Sequence, residues 1–159
     1  MKSSKLPSLK KWRIAATVVA IAAGSAHAQA PESERIQRGE AIVATLNAGQ
    51  PQPTLEALRG EFPFLADAIA GYALGEVWGR PVLDPRTRQL VTVSAFAAQG
   101  NLAYLKIHAG YALNLGVSED ELKEVVYLTT VHAGFPRAID AAQALSELFA
   151  ERRRDSARQ

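Results

Sequence analysis

His108 recurs with Leu102, Leu105, Ala109 and Ala112 at three- and four-residue steps, which predicts that it rides on the buried stripe of a helix. An imidazole there titrates near neutrality and can take and return a proton if a polar cleft opens beside it. The plainer alternative is a hydrogen-bonded structural histidine. His132, at the expected end of the following helix, has the same two readings and could also meet that helix's negative end. The two histidines are 24 residues apart and form no HxH or HxxxH pair, so no metal site and no cofactor are expected.

Glu76, Trp78 and Arg80 form a second constellation, EVWGRP, at a helix end where side chains fan around a glycine and can wall a cleft. Arg80, Arg86 and Arg88 could offer guanidinium forks to an anionic ligand, because arginine matches a carboxylate in bidentate geometry. Core packing is the competing reading for Trp78. A surface ion pair is the competing reading for Arg86, which follows Pro85 in a first helical turn that faces solvent.

Several chemistries are excluded by what the chain lacks. It has no cysteine, so disulfides, thiolate metal sites and thiol mechanisms are all ruled out. There is no glycine-rich phosphate loop, no GxSxG elbow and no basic-aromatic surface, which removes nucleotide, serine-hydrolase and nucleic-acid readings. The net charge of +2 is carried by the N-terminus. Five basic residues between Lys2 and Arg13 precede an apolar run from Ile14 to Ala23 and a small-residue exit, Ala26-His27-Ala28. That is the form of a secretory signal peptide spanning 1–28, with an apolar run too short for a permanent membrane span. Cleavage after Ala28 leaves 13 basic against 16 acidic residues, a mildly acidic exported protein expected in the periplasm.

The elements that must position these residues are all helical. Asp84-Pro85 reads as an N-cap and a first-turn proline, opening a helix whose Leu90, Val91, Val93, Ser94, Ala97 and Ala98 share an apolar face. Gln99-Gly100-Asn101 breaks it, and a second helix carries His108 to Gly116, making a central hairpin. Earlier helices are expected from Pro31 to Leu46, as a short turn capped by Thr54, and from Pro63 to Trp78. Ser118 and Glu121 form a capping box for a helix through Leu122, Val125, Val126, Leu128 and Thr129 to His132. A last helix from about Pro136 to Arg152 points Ile139, Ala142, Leu145, Leu148 and Phe149 inward, and its arginine-rich end is expected to be solvated and frayed. No segment alternates as a strand. About 130 residues after the leader make one domain.

Three ordered stretches, GEVWGRPVLDPRTRQLVTVSAFAAQG, LKIHAGYALNLGVSEDELKEVV and HAGFPRAIDAAQAL, resemble the carboxymuconolactone decarboxylase family over roughly residues 62–149. The resemblance implies an all-α, AhpD-like helical domain built around the central hairpin, with sites near subunit contacts in trimers or hexamers. It places the family histidine at His108, with Trp78 and Arg80 in the matching stretch ahead of it. In the peroxidase branch of that fold a CxxC pair precedes the histidine; here those places are Asn101 and Tyr104, and the branch's acidic proton relay is matched by Gln89, which cannot ionise. His132 stands where a tyrosine is common in the family.

The resulting division is a leader (1–28), an N-terminal helical extension (29–61), the family domain (62–152) and a basic tail (153–159). One functional expectation is a lyase or isomerase acting on a small anionic lactone or enolisable carboxylate. In it His108 moves the proton, and Trp78, Arg80, Glu76, Arg88, Gln89 and His132 surround the substrate. The other is a periplasmic ligand-binding or assembly module that kept the fold and lost catalysis. Either is expected to form a homo-oligomer, through faces small enough at Ala97 and Ala98 for a partner to approach.

Overall fold

The structure, a computed structural model, describes residues 31–158; the expected signal peptide lies outside them. Every regular element among the described residues is helical: α1 Glu32–Leu46, α2 Pro53–Glu61, α3 Pro63–Ala68, a π-helical segment Ile69–Trp78, α4 Pro85–Gln99, α5 Leu102–Asn114, α6 Glu119–His132 and α7 Phe135–Ser156. None of these helices is long and apolar enough to cross a membrane.

The C-terminal four helices fold as their local signals dictate. Asp84 Oδ1 accepts from the Thr87 N–H at 3.0 Å and starts α4. Gly100 ends it with φ of 72°, a conformation glycine adopts without a Cβ penalty, and so turns the chain into α5. Ser118 and Glu121 complete a reciprocal capping box at the start of α6. The four helices then bury one core in which Val93, Ala97, Leu105, Leu122, Val126, Leu145 and Phe149 are almost wholly out of water. Leu105 and Leu122 are completely buried, a position where truncation to alanine typically costs about 2–5 kcal/mol.

The N-terminal half packs differently. Gly39 of α1 and Gly75 of the π-helical segment let two backbones touch: a Cβ on Gly39 would lie 1.9 Å from the Ala70 carbonyl oxygen, and one on Gly75 2.1 Å from that of Arg35. Arg35 crosses the same contact to Glu76 at 2.8 Å, and Arg38 donates to the Gly75 carbonyl at 3.3 Å. A small satellite core of Val43, Leu55 and Ala66 lies under this layer, with Leu58, Ile69 and Leu74 against it.

The structure departs from the expected helices in several places. Gln52, not Thr54, caps α2, its Oε1 accepting from Leu55 N–H at 2.7 Å. The single helix expected from Pro63 to Trp78 changes to π hydrogen bonding at Ile69, a geometry rare in itself and concentrated at functional sites. In α7 the inward face is Ala138, Ala141, Ala144, Leu145 and Phe149, whereas Ile139 is 54 % exposed. Val91 and Leu128 likewise face outward. Ala97 is buried in the chain's own core and is not a face offered to a partner. The basic end of α7 stays helical to Ser156, with Arg152 donating to Asn114 and Arg153 paired with Glu119 at 3.0 Å, so a boundary at residue 152 falls inside a helix.

Candidate active site

α4 and α5 bring Gln89 and His108 together: His108 Nδ1 lies 3.0 Å from Gln89 Oε1. Gln89 is fully buried, and its Nε2 has no hydrogen-bond partner among the described residues. Placed toward the ring, the Gln89 amide oxygen accepts from an Nδ1–H, and that tautomer puts the neutral ring's lone pair at Nε2. Burial pushes the His108 pKa from an ordinary 6.5 down to about 4, because the charged form loses hydration among aromatic rings. Phe96 lies 5.2 Å from the imidazole centroid, Tyr111 meets it edge-on at 5.5 Å, and Trp78 stacks at 6.0 Å.

His108 opens into a cavity of about 120 Å³ at the seam between the two halves. Val43 and Leu46 of α1, Leu55 and Leu58 of α2, and Ile69 and Leu74 of the π-helical segment close one side; Tyr104, Ile107, His108 and Tyr111 of α5 form the other. Among the described residues, no acid, lysine or arginine lines it. The Tyr111 hydroxyl meets the Gln52 side chain, and burial raises its pKa, keeping it neutral. The arrangement is a neutral, half-buried base facing a mostly apolar chamber.

The remaining residues singled out in the sequence distribute around this chamber without all entering it. Trp78 separates it from a second, wider groove of about 470 Å³ and lines that groove with Arg80, Arg88 and Arg38. Arg88 is held by three carbonyls, donating to Leu83 at 3.0 Å, Val77 at 3.3 Å and Arg80 at 2.5 Å, so it pins the loop that carries Arg80. Glu76 is turned to Arg35 in the α1 contact. Arg86 pairs with Glu121 at 3.0 Å on the surface. His132 is exposed at the end of α6 and lines neither cavity. The structure therefore groups Trp78, Gln89 and His108, sets Arg80 and Arg88 in the neighbouring groove that Trp78 also lines, and leaves Glu76 and His132 apart.

Sequence reasoning missed Phe96, Tyr104, Tyr111 and Gln52. Tyr104 and Tyr111 had a usable signal, since they stand four residues before and three after His108, on one helical face. Tyr104, at the position of a peroxidase-branch cysteine, stacks on Phe96 at 5.5 Å and lines the chamber. Gln52 and the α1 and α2 walls had none, because nothing local ties residues 43–58 to position 108.

Residues 63–147 match the carboxymuconolactone decarboxylase family. The chain is 33 % identical over 119 residues to a 4-carboxymuconolactone decarboxylase of Acinetobacter baylyi, covering 74 % of this chain and 89 % of that protein. It is 38 % identical over 88 residues to a nitrosuccinic acid decarboxylase of Metarhizium robertsii, covering 54 % and 62 % of the two chains. A similarity at 24 % over 120 residues extends to an uncharacterised 15.0 kDa protein of Paracoccus denitrificans. With a histidine-bearing helical hairpin that falls wholly inside the matched region, the chain belongs to the carboxymuconolactone decarboxylase family.

Proposed function

We propose that the protein is a decarboxylase-like lyase acting on a small carboxylate whose loss of carbon dioxide leaves electrons that a neighbouring carbonyl or nitro group can accept. The observation that supports this most is the free Nε2 of a deeply set, neutral His108 facing an apolar chamber. A carboxylate drawn into such a chamber exchanges hydration for apolar walls, which favours the more charge-dispersed transition state of carbon–carbon cleavage. The carbon that loses the carboxylate, or one conjugated with it, then needs a proton. His108 supplies it from Nε2 after taking one from solvent as the anion enters. A charge pair about 4 Å apart at an effective dielectric near 20 is worth about 4 kcal/mol, or about three pKa units, comparable with the drop to about 4 that burial imposes. Trp78 and Phe96 hold the ring in place, and Gln89 fixes its tautomer. The relatives' names, a carboxymuconolactone and a nitrosuccinic acid, both describe acids with an electron-withdrawing group, which supports the substrate class.

The test is release of carbon dioxide from carboxylated lactones and nitro acids, read by mass spectrometry with the parent and with His108→Gln. Turnover within twofold of the parent in the variant removes His108 from the mechanism. A binding module is the second reading, favoured by one observation: residue 89 is an amide, so no carboxylate helps the imidazole hold a proton. Retained ligand without carbon dioxide from any of these acids would select it.

We place the working protein in the periplasm as a homo-oligomer. The leader pattern of residues 1–28 supports export, and an N-terminus at Gln29 on the isolated protein is the check. Tyr127, Leu128, Val131, Phe135 and Ile139 follow one another across the α6–α7 turn, each more than half exposed, and support self-association. Light scattering that gave a monomer mass at micromolar concentration would remove the assembly.

A further inference from the structure

The groove beyond Trp78 has features of a ligand site that the His108 chamber lacks. Its volume of about 470 Å³ falls in the range that holds a small organic molecule, and Ile42, Pro81 and Leu83 make its walls largely apolar. Three arginines face one acid, Asp84. The Asp84 carboxylate accepts from the Thr87 hydroxyl and N–H, which hold its pKa below the usual range, so it stays charged and leaves the groove net positive. Arg88 is committed to three carbonyls, which stiffens the loop while its charge remains. Arg38 gives one N–H to Gly75, and the Arg80 side chain makes no hydrogen bond or ion pair to any described residue. Two guanidinium forks are therefore available over an apolar floor, beside an indole face.

We propose that this groove is a second ligand site, distinct from the His108 chamber, for a small organic carboxylate with a flat apolar body. The body lies against Trp78 and the proline and leucine walls, and the carboxylate takes the forks of Arg38 and Arg80. A bare inorganic anion would satisfy the arginines and leave the apolar walls uncovered, so the carboxylate with a body binds more tightly. Leu46 lines both spaces, and Trp78, which lines the groove, stacks on His108, so an occupant of the groove touches the ring that stacks on the imidazole. The inference concerns binding alone and does not require decarboxylation.

The experiment uses the full chain with Trp12→Phe, which leaves Trp78 as the reporting tryptophan, titrated with benzoate, benzamide and inorganic phosphate. Saturable quenching by benzoate is expected, with benzamide, the same body without the charge, and phosphate, a charge without the body, each at least about tenfold weaker. Arg38→Gln should weaken benzoate about tenfold, and so should Thr45→Glu, which adds a negative charge at an exposed groove position and leaves the α1 contact untouched. His108→Gln should leave benzoate binding within twofold. Circular dichroism confirms that each variant is folded. Absence of saturation, benzamide or phosphate matching benzoate, folded Thr45→Glu binding like the parent, or loss of binding in His108→Gln would each overturn the assignment.

Discussion

The chamber at His108 and the groove at Arg80 share one lining residue, Leu46, and differ in size and in the charges that line them. One is small, apolar and free of charged side chains, and it drives its histidine neutral. The other is wider and is lined by three arginines. The two tasks have opposed requirements. Proton transfer to carbon benefits from a group whose charge is unstable until an anion arrives, whereas anion capture benefits from charges that persist. A single small cleft holding both would let the arginines repel an imidazolium and hydrate the reacting carboxylate; the indole keeps them apart.

The variant expected to separate the two spaces most sharply is His108→Gln, which should lower decarboxylation by about 10²–10⁴-fold while leaving the groove intact. Steady-state rates on a turned-over acid, beside benzoate titration, check both halves of the statement. Gly75→Leu should instead damage both spaces together, because even a Cβ there would meet the Arg35 carbonyl and α1 walls both. A stability loss of about 3 kcal/mol or more in urea unfolding is expected from so tight a backbone contact.

Gln89→Glu should make the chamber resemble the groove by placing a carboxylate against Nδ1. The imidazolium is then stabilised, and the His108 pKa rises by about 1–2 units, read by NMR titration or by the acid limb of a pH–rate profile. The parent has a linked signature. Its folded-state pKa is about 4 against 6.5 unfolded, so the unfolded chain binds more protons between those values. Stability therefore falls as pH is lowered from about 6.5 to about 4, and His108→Gln should flatten that part of the curve. The smallest effect is expected from Arg88→Ala, which frees the loop between Trp78 and Asp84 for a loss of about 1–2 kcal/mol and weakens benzoate without touching decarboxylation. An equal loss of turnover would show that the two spaces work as one.

Much of the fold was legible because its signals are closed within a few residues. Asp84 with Thr87, Gly100, and Ser118 with Glu121 each settle their helix ends by hydrogen bonds or backbone conformation that no distant contact has to support. His108 could be placed on an inward helical face for the same reason. The inward face of α7 could not be read as well, since alanines and larger apolar residues both recur at helical spacing there, and packing chose Ala138, Ala141 and Ala144 over Ile139. Close approach of α7 to its neighbours favours the smaller side chains.

The sequence alone determined an all-helical chain without thiol chemistry, a hairpin from α4 to α5, and a histidine on that hairpin's buried side, because each depends on composition, caps or periodicity. Only the tertiary structure decided that Arg80 and His108 line different cavities, that Glu76 turns to Arg35, and that residues 43–58 help close the chamber. It also decided the π geometry of Ile69–Trp78, which lies against α1 at Gly39 and Gly75. Those outcomes rest on contacts between segments thirty or more residues apart, and the side chains that meet there carry no local mark of their partners.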